Sequence, residues 1–423
     1  MNIYLAVILV IIVLKYVLYL IIDTLNVRFA RTSLPQEFQG YYDADKYKKS
    51  QSYLRERTFF SLIEETVVTL ITVVFILAGG FNVLDNFARD FGSGPIVTGL
   101  IFGGGLMFAV QLLNLPFSLY HTFVIEEKYG FNRTTVTTFI LDLLKGMLLG
   151  AVIGGLAFSG ILWFFAETGA RAWLFCWMAL TLFQFLLIFI APVVIMPLFN
   201  KFVPLEDGDL KHTVEEYAYS QDFKIQGVFK MDGSRRSTKS NAFFTGFGSF
   251  RRIALFDTLI ERHTTDGLVS VLAHEIGHYK KRHILKSMLF SVMTTGLMFY
   301  ILSFFLYNKE LFAAFKMEQV SLYAGLVFFG FLYAPINMVF SIIGNIFSRR
   351  HEYEADRFAV TTYGKPQAFI LALKKLSVDN LSNLTPHPLK VFFDYSHPPV
   401  LERISAIRKI IGTPEDLPKA GAQ

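Results

Sequence analysis

Seven stretches of this chain are each long and apolar enough to cross a bilayer, and nothing else constrains its fold so strongly. They run approximately over 3–22, 62–83, 95–125, 137–166, 172–199, 285–307 and 323–347. A helix needs about 20 mostly apolar residues to cover the hydrocarbon core. The composition agrees. Of 423 residues, 53% are hydrophobic and only 17% charged, where a soluble protein carries about 25% charged residues. An ordinary cytosolic enzyme is thereby excluded, as is a disordered or fibrous chain. The first stretch has no basic leader and no small-residue cleavage site, so it reads as a retained span. The single cysteine, Cys176, lies in an apolar run, which excludes an intrachain disulfide and a cysteine metal site.

Lys and Arg set the orientation. The loop after the first span carries Arg28, Arg31, Lys46, Lys48, Lys49, Arg55 and Arg57, and the loop after the third carries Lys128 and Arg133. The segment 200–284 and the tail after Phe347 are also basic. These regions all fall on one side, which places the N-terminus outside and the C-terminus in the cytoplasm. The +6 net charge is spread over several loops, so it orients a membrane protein and does not make a nucleic-acid patch. The chain divides into 1–199 (spans one to five), 200–284 (a cytoplasmic segment), 285–347 (spans six and seven) and a cytoplasmic tail, 348–423. Polar residues inside the spans, among them Glu64, Glu65, Asp142, Lys145 and Gln184, pair with one another or face a water-filled interior. On the second reading they could also form the ion path of a transporter or channel.

The pentapeptide His274-Glu-Ile-Gly-His278 is H-E-x-x-H, preceded by an apolar, helix-compatible run. Four residues rotate about 400° round a helix, so both imidazoles leave one face, about 40° apart. Two neutral imidazoles so placed suit a tetrahedral zinc ion, and Glu275 can reach a metal-bound water as general base. A third ligand must come from elsewhere. His283 lies about 500° round from His278 if the helix continues, off the ligand face, and reads as a polar residue at the membrane boundary. Downstream, Glu352 and Asp356 share a face. One of them can bind zinc while the other hydrogen-bonds a ligand imidazole. Glu354 points away from that pair and reads as solvent-facing.

Three short strands are expected over 225–231, 240–246 and 251–256. An edge strand beside the zinc helix would hold a peptide extended by main-chain hydrogen bonds; the plainer reading is a packing hairpin. His397, in Ser396-His-Pro-Pro399, could stabilise an oxyanion or cap the next helix. Arg403 could pair with Asp356, Glu352 or a substrate carboxylate.

With these residues in hand, the chain resembles the type I CAAX prenyl proteases, integral-membrane zinc metallopeptidases of the gluzincin kind. The resemblance covers nearly the whole chain. Beyond the two metal motifs it includes Glu127-Lys-Tyr-Gly-Phe-Asn-Arg-Thr-Thr135, Ser240-Asn-Ala-Phe-Phe-Thr-Gly246, Leu255-Phe-Asp-Thr-Leu259 and Tyr395-Ser-His-Pro-Pro-Val-Leu-Glu-Arg403. It implies a mainly α fold. Seven helices form a barrel round a large water-filled chamber, and a cytoplasmic metalloprotease domain carries a small β-sheet.

The resemblance also implies one zinc ion per chain, with His274, His278 and Glu352 as ligands and Glu275 as base. Asp356 supports the ligands from behind, and His397 and Arg403 border the scissile carbonyl. The strand bearing Asn241, Ala242, Phe243 and Phe244 lines the substrate cleft. The family's type reaction removes the last three residues of a protein whose C-terminal cysteine is prenylated, and some members clear unprenylated membrane proteins. The expected partners are therefore a peptide or protein substrate and the lipid bilayer, with no nucleic acid, and the expected state is a monomer. The short 307–320 loop and the tail without a dilysine pattern point to a bacterial inner membrane, with the endoplasmic reticulum as the eukaryotic counterpart. A zinc-binding scaffold without proteolytic activity is the remaining alternative, and the intact Glu275 argues against it.

Overall fold

The computed structural model describes residues 2–91, 94–245 and 252–412, except the side chains of 243–245. Among them, seven helices are long and apolar enough to span a membrane: Ile3–Phe29, Ala44–Ala78, Gly94–Tyr129, Val136–Glu167, Gly169–Phe199, His283–Leu302 and Leu322–Tyr363. Each expected span overlaps one of them; five lie wholly within, while 62–83 runs past Ala78 and 285–307 past Leu302. Asp43 starts the second, its carboxylate accepting from the Asp45 amide, as N-cap side chains do. Pro116 interrupts the third span and Pro192 lies in a π turn of the fifth. Each withdraws a helical N–H.

The spans close into a ring. Phe60 of the second stacks on Tyr120 of the third, centroids 4.8 Å apart. Phe123 of the third meets Phe139 of the fourth, and the fourth packs on the fifth. Trp177 of the fifth donates its indole N–H to the Val292 carbonyl of the sixth at 2.8 Å. Gly296 makes room for that indole, since a Cβ there would lie 2.9 Å from the ring. Phe290 of the sixth meets Phe340 of the seventh, which returns to the first. Only 0–17% of each apolar window is buried. A solid bundle would bury the inward half of each helix, so the ring encloses space.

Packed cores lie toward both ends of the ring. At one end Phe81, Phe102, Leu311, Phe312, Phe315, Tyr323 and Phe328 form an apolar plug, with Phe315 and Phe328 stacked 3.8 Å apart. Fully burying such side chains stabilises by about 1.5–3 kcal/mol each. At the other end the core draws on separate parts of the chain: Phe38 and Tyr47 from the first loop, Val214 to Leu259 from the middle segment, the helix Thr265–Lys280 (α1), and Phe369 to Ile407 from the tail.

A four-stranded sheet lies beside α1, in the order β1-β2-β4-β3. Its strands are Phe202–Pro204 (β1), Gly227–Met231 (β2), Ala242–Thr245 (β3) and Arg252–Phe256 (β4). The three expected strands are present, and β3 is an edge strand. β1 adds a fourth, antiparallel to β2.

The polar residues within the spans divide. Asp142 accepts two hydrogen bonds from Arg236, at 2.7 and 2.9 Å. Lys145 donates to the Leu198 carbonyl. Gln184 bonds Ser291 and borders the cavity described next. All three are thus tied to protein partners, and the third also borders open space.

Candidate metal centre

Helix α1 begins where Thr264 accepts from the Gly267 amide and is buried along most of its length. It packs on the seventh span's helix, Leu322–Tyr363, which runs 42 residues without a break. At about 1.5 Å per residue that is about 63 Å, twice the hydrocarbon thickness. Its far end therefore leaves the membrane and carries Glu352 and Asp356 into the soluble core. The two helices approach closely at Gly277, where a Cβ would lie 3.1 Å from the Ala355 Cα and from the Phe358 Cβ. Gly277→Ala should separate them and cost about 1–3 kcal/mol, read as a fall in melting temperature with weaker metal retention.

This packing brings three donors together. Nε2 of His274 and Nε2 of His278 are 3.1 Å apart. Glu352 Oε2 lies 3.4 Å from the first and Glu352 Oε1 3.2 Å from the second. The three residues form a group able to hold a metal ion. Donors bonded to a tetrahedral zinc ion lie about 3.3 Å apart, so the triangle is the right size. Among the described residues, Glu352 Oε2 is also buried with no hydrogen-bond partner. A buried carboxylate oxygen without a hydrogen bond is costly, and the Arg403 guanidinium at 3.6 Å offsets this only in part, leaving room for a metal ion. Size, donor chemistry and that oxygen all fit zinc.

Around the triangle, His274 Nδ1 lies 2.8 Å from Asp356 Oδ1. Asp356 is gripped by Arg403, whose Nε and terminal nitrogen donate at 2.8 and 2.5 Å. Arg403 also reaches Glu352 Oε2 at 3.6 Å. Glu275 borders a cavity of about 520 Å³ together with His274, His278, Glu352, Gln184 and His397. Burial pushes its carboxyl above the ordinary range, against the opposing pull of the two imidazoles. A raised value makes the carboxylate a stronger proton acceptor. His397 opens into the cavity, its Nε2 3.3 Å from Glu352 Oε1 and its Nδ1 3.0 Å from Ser396 Oγ.

The edge strand is placed less directly. β3 packs beside α1, and its start is held by Asn380, which accepts from the Ser240 amide and donates to its carbonyl. Asn241 and Ala242 are not among the residues bordering the cavity. The side chains of Phe243 and Phe244 lie outside the described residues, although their backbone pairs with Ala254 and Ile253.

Two expectations are filled out. His283 does open the sixth span as its first residue, but it is 3% exposed, and its Nδ1 lies 3.1 Å from Nδ1 of His278. Glu354 keeps 33% of its side chain exposed while lying 3.1 Å from His283 Nε2. The 500° rotation assumed one continuous helix. Instead α1 ends at Lys280, Arg282 takes a left-handed conformation with φ 56°, and a new helix starts at His283. The signal was present in Lys280-Lys-Arg282, since basic residues gather where helices end.

A family model described as CAAX prenyl protease N-terminal, five membrane helices, matches residues 23–201. A second, peptidase family M48, matches 204–411. The CAAX prenyl protease 1 homolog of Arabidopsis thaliana is 34% identical over 386 residues, covering 89% of this chain and 90% of that protein. CAAX prenyl protease 1 of Saccharomyces cerevisiae is 33% identical over 406 residues, covering 90% and 89%. The crystal structure of S. mikatae Ste24p superposes with a TM-score of 0.91 at 32% identity, covering 96% of this chain and 99% of that one.

Proposed function

This chain belongs to peptidase family M48 as an integral-membrane metalloprotease of the CAAX prenyl protease kind, and from that premise we propose that it uses one zinc ion to cleave the C-terminal end of a prenylated peptide at the membrane surface. The donor triangle of His274, His278 and Glu352, bordering a cavity and holding a buried oxygen without a hydrogen bond, carries the reading. When bound, zinc acidifies a coordinated water toward a pKa of about 7 and polarises a carbonyl.

The protein's own residues do the rest. His274, His278 and Glu352 hold the ion and leave the cavity side open. Glu275 accepts the proton of the attacking water and passes it to the leaving amine. His397 donates toward the oxygen on which negative charge develops. Arg403 keeps Asp356 ionised, and Asp356 fixes the His274 ring through Nδ1. The outer edge of β3, through Asn241 to Phe244, aligns the substrate as an added strand. The basic loops place this machinery on the cytoplasmic side, with the N-terminus outside. All of these groups come from one chain, as a working monomer requires, and the proposal involves no nucleic acid.

The test is incubation of purified protein with a farnesylated C-terminal peptide and an unprenylated control, with metal analysis and a chelator arm. We expect cleavage of the farnesylated peptide, loss of activity on chelation and recovery with added zinc. Cleavage that survives complete metal removal overturns the reading. Bound zinc with no cleavage of either peptide would make the protein a scaffold.

A further inference from the structure

We propose that His283 and Glu354 form a hydrogen-bond relay that fixes the ring proton and orientation of His278, and that the left-handed turn at Arg282 serves to build it. The inference rests on His278 being a metal ligand. For its Nε2 to offer a lone pair to a metal, its proton must sit on Nδ1. That atom lies 3.1 Å from His283 Nδ1, which must therefore accept. The His283 proton is then on Nε2, 3.1 Å from Glu354 Oε2, which accepts in turn. One choice of tautomer satisfies the whole chain.

The relay is held at every member. His283 is buried, and its ring stacks on His351 with centroids 4.1 Å apart and planes 10° apart. Glu354 is anchored by Arg350 at 3.3 Å and Lys286 at 3.8 Å. The two ligand imidazoles are thus backed unequally. His274 meets a carboxylate directly, while His278 reaches one through a second imidazole. Arg282 adopts φ 56°, which is costly for a residue with a side chain and is retained where surrounding structure requires it. Here it breaks the helix in time to fold His283 back onto His278.

Outer partners of metal-bound imidazoles set metal affinity by about 10–100-fold. The full chain, stripped of metal in detergent, is titrated with zinc against a chromophoric chelator. His283→Ala and Glu354→Leu should each weaken binding by about 10–100-fold. The double variant should be no weaker than His283→Ala, because one relay is broken once. His283→Gln, whose amide can accept from His278 and donate to Glu354, should recover much of the loss. Cobalt-loaded variants should show a shifted visible spectrum. Glu354→Leu leaves the buried His283 in place, so the test does not depend on a cavity-forming substitution. Wild-type affinity in both single variants overturns the relay, as does simple addition of their effects. His274→Ala separates this failure from that of the metal reading: if it too binds zinc normally, the ligand set itself is wrong.

Discussion

Glu275→Gln should lower peptide cleavage by about 100- to 10,000-fold, the range for loss of a general base, while zinc content stays at the wild-type level. Glutamine matches the shape of glutamate and cannot accept a proton. The carboxylate is not part of the donor triangle, which His274, His278 and Glu352 complete without it. Metal analysis beside a turnover assay gives the answer. If the variant loses its metal, Glu275 is a structural support of the ion. If it cleaves normally, another group takes the proton, and the cavity offers His397 as the next candidate.

The second large effect is on stability. Arg403→Met should destabilise the protein by about 3–5 kcal/mol, because it leaves the Asp356 charge buried without its partner. Asp356 is 1% exposed and receives two hydrogen bonds from the guanidinium. Removing both charges should hurt less than removing one. Arg403→Met with Asp356→Asn should melt at a higher temperature than Arg403→Met alone, although it does not restore the His274 contact. Thermal unfolding in detergent measures this. If Arg403→Met melts like the wild type, the pair adds nothing net, and Asp356 is held by His274 alone.

The spans and the shared faces of His274 with His278 and of Glu352 with Asp356 were legible in the sequence because both follow from local rules; which carboxylate joins the imidazoles came only from the family resemblance. Length and apolarity define a span, and a spacing of four defines a helix face. The same spacing placed Glu352 and Asp356 together on a helix that does run unbroken. What depends on distant contacts was not legible. The ring is closed by pairs such as Trp177 with Val292 and Phe60 with Tyr120, which no periodicity announces. β1 is three residues long and ends in Pro204, too short to show alternation. The contact of His283 with His278 was missed because a helical rotation was carried past a residue with positive φ. One left-handed residue turns the histidine that opens the sixth span onto the donor triangle.

The unbroken helix that carries Glu352 offers a mechanical route from the bilayer to the donor triangle. Pro335 lies inside that helix, 17 residues before Glu352 and so about 25 Å away along the axis, at a natural pivot. A change of about 5° in tilt, of the kind hydrophobic mismatch produces, would swing the carboxylate by about 2 Å against the imidazoles of α1. A lipid mixture of the wrong thickness would then act as an inhibitor without touching the catalytic cavity.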